Sequence, residues 1–126
     1  LSKDLNIKDQ IHLLGYQDEE KKFQYLSNSD IYVLSSVHEG FGVVLQEAMQ
    51  VGLPIISTHN GGQVDLVQEN KNGFLVDFGD AKALKDKISL LLSNKNKMEE
   101  FSKNNINKVN EFKTSKIVKE YLGVLK

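Results

Sequence analysis

The chain of 126 residues contains no cysteine, and this absence removes several kinds of site at once. Disulfides, zinc–thiolate centres and cysteine nucleophiles are excluded, and the composition suits a reducing compartment. A metal site would have to use histidine and carboxylate groups alone. The histidines are His12, His38 and His59, and none of them belongs to an H-E-x-x-H pair. We therefore expect neither a metal nor another cofactor.

The chain also lacks long apolar runs and any excess of charge of one sign. Its apolar stretches have the length of strands, so the sequence shows no membrane-spanning helix and no signal peptide. With 16 Lys and Arg against 17 Asp and Glu, the net charge is −1. Such a balance gives no electrostatic reason to expect nucleic acid or an acidic membrane as a partner.

Proline is almost absent, and together with glycine it marks where a predicted element stops. The single proline, Pro54, follows Gly52 and ends the helical pattern that begins at Gly42. Strand patterns cover Ile11–Leu14, Asp30–Leu34, Pro54–Thr58 and Phe74–Asp77. Helical patterns cover Asp18–Asn28, Gly42–Val51 and the segment from Ala81 to about Ser93, with a short helical turn at Gln63–Val67.

Strands that alternate with helices predict right-handed crossovers and a parallel sheet covered on both faces, which is a doubly wound α/β fold. Asp80 is the expected N-cap of the third helix. From Asn94 onward the sequence is rich in Lys and Asn and predicts one or two amphipathic helices over the sheet. No repeat or linker interrupts the chain, so we expect one domain over residues 1–126.

Ligands of open parallel sheets bind at the carboxyl ends of the strands, where loops and helix N-termini converge. Three segments are predicted to lie on that edge, namely Gly15–Tyr16, Ser35–Gly42 and His59–Gly62. Two of them are rich in glycine, which permits a close approach of the backbone to a ligand.

The turn Gly40-Phe41-Gly42 opens directly into a helix. The free N–H groups of Phe41, Gly42 and Val43 therefore point out of the helix start, with the positive end of its dipole behind them. Such a place favours an anion, and phosphate is the commonest one. A tight turn with a purely structural purpose is the alternative.

Glu47 occupies an unusual place in the same helix. At 100° per residue, Val43 falls about 40° from Glu47, while Gln46 and Gln50 form the outer face. A carboxylate inside the apolar arc must be hydrogen-bonded or paired, because its desolvation is costly. Its donors are either internal, such as a backbone amide or Ser36, or the hydroxyl groups of a ligand. Two neighbouring hydroxyls of a ribose suit one carboxylate.

Several motifs in this order resemble a known family. They look like the E-x7-E signature and flanks of glycosyltransferase family 4, also called the glycosyl transferases group 1. The similarity runs from about Leu5 to Ser93. The motifs are Glu39-Gly40-Phe41-Gly42, Glu47-Ala48-Met49, Gly52-Leu53-Pro54-Ile55-Ile56, Gly61-Gly62 and Asn72-Gly73-Phe74-Leu75-Val76.

The resemblance implies a GT-B fold, in which two Rossmann-like domains face each other across a cleft and the second binds a nucleotide-sugar donor. This chain is similar to the later part of that second domain. We therefore expect a piece of a longer chain. The N-terminal acceptor domain of the same chain and the first strands of the donor domain, with their basic residues for the diphosphate, would lie elsewhere.

The resemblance also assigns roles to individual positions. Glu39 would lie beside the transferred sugar as the catalytic residue. The ribose hydroxyls would bind Glu47, and the nucleobase would lie near Leu14, Gly15 and Tyr16. The donor's phosphate and sugar would lie against a glycine-rich set made of Gly40, Phe41, Gly42, Val43, Gly61 and Gly62. Asp65 stands where the family usually has Glu, so no role is assigned to it.

The family transfers the sugar with retention of configuration and usually without a metal. The acceptor hydroxyl would attack on the face from which the diphosphate leaves, and the diphosphate would take the proton. Glu39 would orient sugar hydroxyls and stabilise positive charge on the ring. The family also implies polysaccharide or glycolipid synthesis in the cytoplasm, with the full-length enzyme resting on a membrane surface.

Three rival interpretations remain at this point. The chain could be a non-catalytic nucleotide-sugar-binding module, or part of another GT-B enzyme such as a nucleotide-sugar epimerase or a retaining phosphorylase. A general Rossmann dinucleotide-binding domain fits less well, because Gly40-Phe41-Gly42-Val43-Val44-Leu45 departs from G-x-G-x-x-G at its last position.

Overall fold

A computed structural model describes the backbone of residues 8–15, 17–35, 42–58 and 66–122, and the side chains of residues 9–15, 17–35, 45–58 and 66–111. A short 3-10 helix at Lys8–Gln10 comes first. The helices are α1 (Glu19–Ser27), α2 (Gly42–Gln50), α3 (Ala81–Leu92) and α4 (Lys95–Leu122). The strands are β1 (Tyr32–Leu34), β2 (Ile55–Thr58) and β3 (Gly73–Val76).

The described strands form one parallel sheet in the order β1-β2-β3. Tyr32 stands opposite Ile55, and Ile55 stands opposite Gly73. A side chain at Gly73 would collide with the carbonyl oxygen of Ile55, so the close approach of β2 and β3 requires glycine there. The parallel sheet with its helices confirms the predicted fold class.

Apolar side chains cover both faces of the sheet. Successive residues of a strand point to opposite faces, and Ile55 and Ile56 of β2 accordingly belong to different core clusters. On the Ile55 side, α2 contributes Leu45, Ala48 and Met49. On the Ile56 side, the contributors are Leu91 of α3 and Phe101 of α4, and the Phe101 ring packs edge to face on Phe74 with 5.3 Å between centroids.

The predicted strand at Ile11–Leu14 is wrong. Residues 11–15 form no regular element, and the Leu13 side chain is 95% exposed. A strand persists only where a neighbouring strand pairs with its backbone, and in the described part of the sheet β1 pairs with β2 alone. The apolar pattern by itself therefore does not make this segment a strand.

The predicted helix boundaries agree closely with the structure. The Asp18 carboxylate accepts a hydrogen bond from the Lys21 N–H at 2.9 Å and caps α1, and Asp80 accepts one from the Ala83 N–H at 3.0 Å and caps α3. The C-terminal part of the chain forms one continuous helix of 28 residues. Most of the predicted turn at Gln63–Val67 lies outside the described residues.

Candidate functional site

The residues assigned to the site divide into two groups. Glu47, Leu14 and Gly15 are described together with their surroundings, and Gly42 and Val43 are described as the first backbone turn of α2. The other assigned residues lie outside the described ranges and stay predictions; they are Tyr16, Glu39, Gly40, Phe41, Gly61 and Gly62.

Helix α2 begins at Gly42, as the glycine turn predicts. It follows β1, which ends at Leu34, and its start therefore belongs to the edge where the parallel strands end. The first N–H groups of a helix have no partner within it, and the helix dipole makes this end positive. The backbone is thus suited to meet an anionic group here.

Glu47 lies at the border of the buried face of α2. Gln46 and Gln50 are exposed, as the helical wheel predicts, whereas Ala48 and Met49 are fully buried. The Glu47 side chain keeps 17% of its accessible surface. It is therefore less deeply buried than the wheel suggests, but it is still sheltered enough to require a partner.

That partner is Lys22 of α1, which sequence reasoning missed. The Lys22 Nζ lies 2.6 Å from Glu47 Oε2 and 2.7 Å from Glu19 Oε1, so one ammonium joins carboxylates of two helices. The interactions of its ammonium with the acceptor oxygens of Glu19 and then of Glu47 raise the pKa of Lys22 above its ordinary value. Glu19 is three residues away on the same helix and could have been predicted as a partner. No spacing rule links Lys22 to Glu47.

A cavity of about 370 Å³ lies beside this ion pair. Its wall contains Leu14 and Gly15, the positions assigned to the nucleobase, and also Lys22. The remaining lining residues are Gln17, Tyr25, Leu26, Ser29 and Tyr32. The fold thus brings the loop after residue 13 and the α1–α2 ion pair to the same place.

Among the described residues, Tyr32 is a second titratable group with a raised pKa. Burial, and secondly the negative charge of Glu47, raise the pKa of the Tyr32 phenol. The hydroxyl therefore stays protonated at neutral pH and can both donate and accept a hydrogen bond.

The loop at Leu14–Gln17 is closed by a local hydrogen bond. The Gln17 Nε2 donates to the Leu14 carbonyl oxygen at 2.7 Å, and Gly15 has a φ of +63°. A Cβ added to Gly15 would meet no atom within 4 Å, so the backbone conformation and not a lack of space favours glycine there.

Two further cavities lie at opposite edges of the sheet. One of about 260 Å³ lies where the three strands end and is lined by their last residues, Leu34, Thr58 and Val76, and by Phe78. The other, of about 470 Å³, lies before β1 and β2, where Asp30 and Pro54 contribute to its wall. The second is remote from the loops that follow the strands.

Neither a metal cluster nor a membrane-crossing helix is found in the described part of the chain. Its residues include no group of three His, Asp or Glu side chains that could hold a metal ion. None of its helices is both long and apolar enough to cross a membrane.

Comparisons with known proteins agree with this geometry. The sequence matches the model of the family described as "Glycosyl transferases group 1" over residues 1–108. N-acetyl-alpha-D-glucosaminyl L-malate synthase of Bacillus anthracis is 36% identical over 126 residues, which cover 96% of this chain and 32% of that enzyme. The chain spans a third or less of the length of the first curated relatives it matches.

Two solved structures share the fold. The C-terminal domain of LpcC, a glycosyl transferase group 1 family protein from Francisella tularensis, has a TM-score of 0.80 at 26% identity, over 87% of this chain and 57% of that chain. HepE from Anabaena, in complex with UDP-glucose, has a TM-score of 0.81 at 23% identity, over 98% of this chain and 35% of that chain.

Proposed function

The chain belongs to the family of glycosyl transferases group 1, and on this basis we propose that it is the donor-binding part of a retaining glycosyltransferase. The observation that carries the proposal is that Lys22, the ion-pair partner of Glu47, lines the same cavity as Leu14 and Gly15. The family assignment places Glu47 at the ribose and the Leu14–Gly15 loop at the nucleobase of the same nucleotide. The likeness to the C-terminal domain of LpcC supports assigning the chain to the second domain of a GT-B enzyme.

The donor proposed for this site is a nucleoside diphosphate sugar. The loop at Leu14 and Gly15 would contact the base, Glu47 would accept hydrogen bonds from ribose hydroxyls, and the amides at the start of α2 would meet the diphosphate. HepE, which shares this fold, has been solved with UDP-glucose, and this supports a nucleotide sugar as the donor. The acceptor would bind to another domain of the same protein.

The proposed reaction exchanges one bond for another at the anomeric carbon of the sugar. The acceptor hydroxyl oxygen forms the new bond, the bond to the diphosphate oxygen breaks, and the departing diphosphate takes the hydroxyl proton. Glu39 orients the sugar and stabilises the positive charge that develops on its ring. The proposed reaction uses no metal, and it serves polysaccharide or glycolipid synthesis in the cytoplasm, with the full-length enzyme in contact with a membrane surface.

A binding measurement on Glu47 tests the proposal. In the full-length protein, calorimetry is carried out with the diphosphates of uridine, guanosine and adenosine. Glu47→Gln should weaken binding of the preferred nucleotide about tenfold, because hydrogen bonds from the ribose to a charged carboxylate are replaced by weaker ones to a neutral amide oxygen. Gln46→Ala changes an exposed neighbour on the same helix and should leave binding unchanged. An unaltered dissociation constant for Glu47→Gln would remove this residue from the nucleotide site.

A further inference from the structure

Lys22 makes contacts that join two helices. Its Nζ donates a hydrogen bond to Glu19 Oε1 and forms an ion pair with Glu47 Oε2, and it also lies 5.8 Å from the centre of the Phe23 ring. The two carboxylates differ greatly in exposure, because the Glu19 side chain keeps 78% of its surface and Glu47 only 17%. The contact with Glu47 is therefore the less exposed of the two, and water and salt screen it less than the contact with Glu19.

The ion pair with Lys22 holds the carboxylate of Glu47 in place but occupies only one of its two oxygens. A carboxylate has two oxygens and about four lone-pair directions. Lys22 contacts Oε2, and no partner of Oε1 is found among the described residues, so Oε1 is the oxygen assigned here to a ligand. A group held in this way needs less ordering when a ligand arrives, and such preorganisation raises affinity.

Lys22 is also part of the wall of the 370 Å³ cavity, together with Leu14, Gly15 and Tyr32. The pKa of the Tyr32 phenol is raised first by burial and secondly by the charge of Glu47, so this lining residue also lies within the electrostatic influence of the ion pair.

We propose that Lys22 is a positioning residue for nucleotide binding, which holds Glu47 Oε2 so that Oε1 can accept hydrogen bonds from a ribose. This inference rests on the proposed function of Glu47. It assigns Lys22 no direct contact with the nucleotide, and its effect therefore depends on the ribose hydroxyls.

The test compares ribose with deoxyribose. In the full-length protein, Lys22→Met is titrated with the diphosphates of uridine, guanosine and adenosine and with their 2′-deoxy counterparts. We expect the preferred ribonucleotide to bind about tenfold more weakly, as for loss of one hydrogen bond to a charged group, and the deoxy analogue to change much less. Lys22→Arg keeps the charge and the donors and should restore most of the affinity.

Lys21→Met is the matched control, because Lys21 is the exposed neighbour on the same helix. It should leave both dissociation constants unchanged. Thermal unfolding of each variant checks that the fold is intact, and Lys22→Gln provides a polar variant of the same position in case the methionine variant is unstable.

Three results would overturn the positioning role. Wild-type or tighter ribonucleotide binding by Lys22→Met would mean that the lysine is neutral or competes with the ligand for Glu47. Equal weakening of ribose and deoxyribose nucleotides would mean that Lys22 acts elsewhere than through Glu47. An equal loss in Lys21→Met would indicate a general effect of charge.

The variant Glu47→Gln shows whether a negative result concerns only the role of Lys22 or also the proposed role of Glu47. If this variant keeps the wild-type preference for ribose over deoxyribose, Glu47 does not bind the ribose, and both proposals fail. If it loses that preference while Lys22→Met keeps it, the role of Glu47 stands and only the role of Lys22 is overturned.

Discussion

At the scale of single residues, the site couples the titration of two side chains to the stability of the fold. The pKa values of both Tyr32 and Lys22 are raised, so in the alkaline range the folded protein binds more protons than the unfolded chain. The stabilisation that these groups provide is complete below their ordinary pKa values, near pH 10, and is lost as the pH rises above them.

This leads to a prediction for Tyr32→Phe. Between about pH 9 and pH 11, the free energy of unfolding should fall less steeply for this variant than for the wild type, because one of the two groups is removed. Denaturant titrations at several pH values measure the slope. Tyr25→Phe, which alters an exposed tyrosine, is the control, and an identical slope for Tyr32→Phe and wild type would contradict the prediction.

A second prediction at this scale concerns Glu39 and its proposed part in the chemistry. In the full-length enzyme, Glu39→Gln should lower kcat by about a hundredfold, because a group that stabilises charge in the transition state is lost. Donor binding should change much less. Steady-state kinetics together with calorimetry separate the two quantities. Equal losses in turnover and donor affinity would make Glu39 a simple binding residue.

At the scale of elements, α4 is tied to the sheet by an asparagine as well as by apolar contacts. The fully buried Asn105 donates from Nδ2 to the carbonyl oxygens of Leu53 at 2.7 Å and Asn72 at 3.0 Å. These carbonyls precede β2 and β3, so one side chain joins the helix to the starts of two strands. Its Oδ1 has no hydrogen-bond partner in the described part of the chain, so the stabilising hydrogen bonds are those that Nδ2 donates.

We therefore expect Asn105→Ala to lower the free energy of unfolding by about 2 kcal/mol, because two buried carbonyl groups lose a donor. Asn104→Ala is a close control, since Asn104 also donates to a carbonyl, that of Lys71, but at an exposed site. Its cost should be about 0.5 kcal/mol. Urea unfolding of both variants measures the difference, and equal costs would show that burial of the Asn105 contacts is unimportant.

At the scale of the whole molecule, the described chain is a three-stranded parallel sheet between two apolar clusters. The first curated relatives it matches are about three times as long or longer. A GT-B enzyme forms its cleft between two domains, and this chain is proposed to be part of one of them. The proposed nucleotide site thus lies within one domain, whereas the complete transferase would require both domains.

We predict that the 126-residue chain alone does not transfer sugar. Transfer needs an acceptor held next to the donor, and the proposed acceptor site belongs to another domain. Incubation of the chain with UDP-, GDP- and ADP-sugars, followed by detection of released nucleoside diphosphate, measures turnover. The full-length protein in the same assay is the positive control, and turnover by the chain alone would refute the prediction.

Much of the architecture follows from local patterns in the sequence. The caps at Asp18 and Asp80, the start of α2 at Gly42 and the exposed Gln46 and Gln50 were all predictable. They depend on backbone preferences and on the 3.6-residue helical period, which act between near neighbours. The family signature likewise depends on the order of motifs and is readable without a structure.

The sequence by itself thus determined the alternation of helices and strands, the family and the unusual position of Glu47. Only the tertiary structure decided that Lys22 is the partner of Glu47 and that Ile11–Leu14 is not a strand in the described fold. The physical reason is the same in both cases. An ion pair between helices and a ladder between strands depend on distances across the fold, and spacing along the chain does not specify those distances.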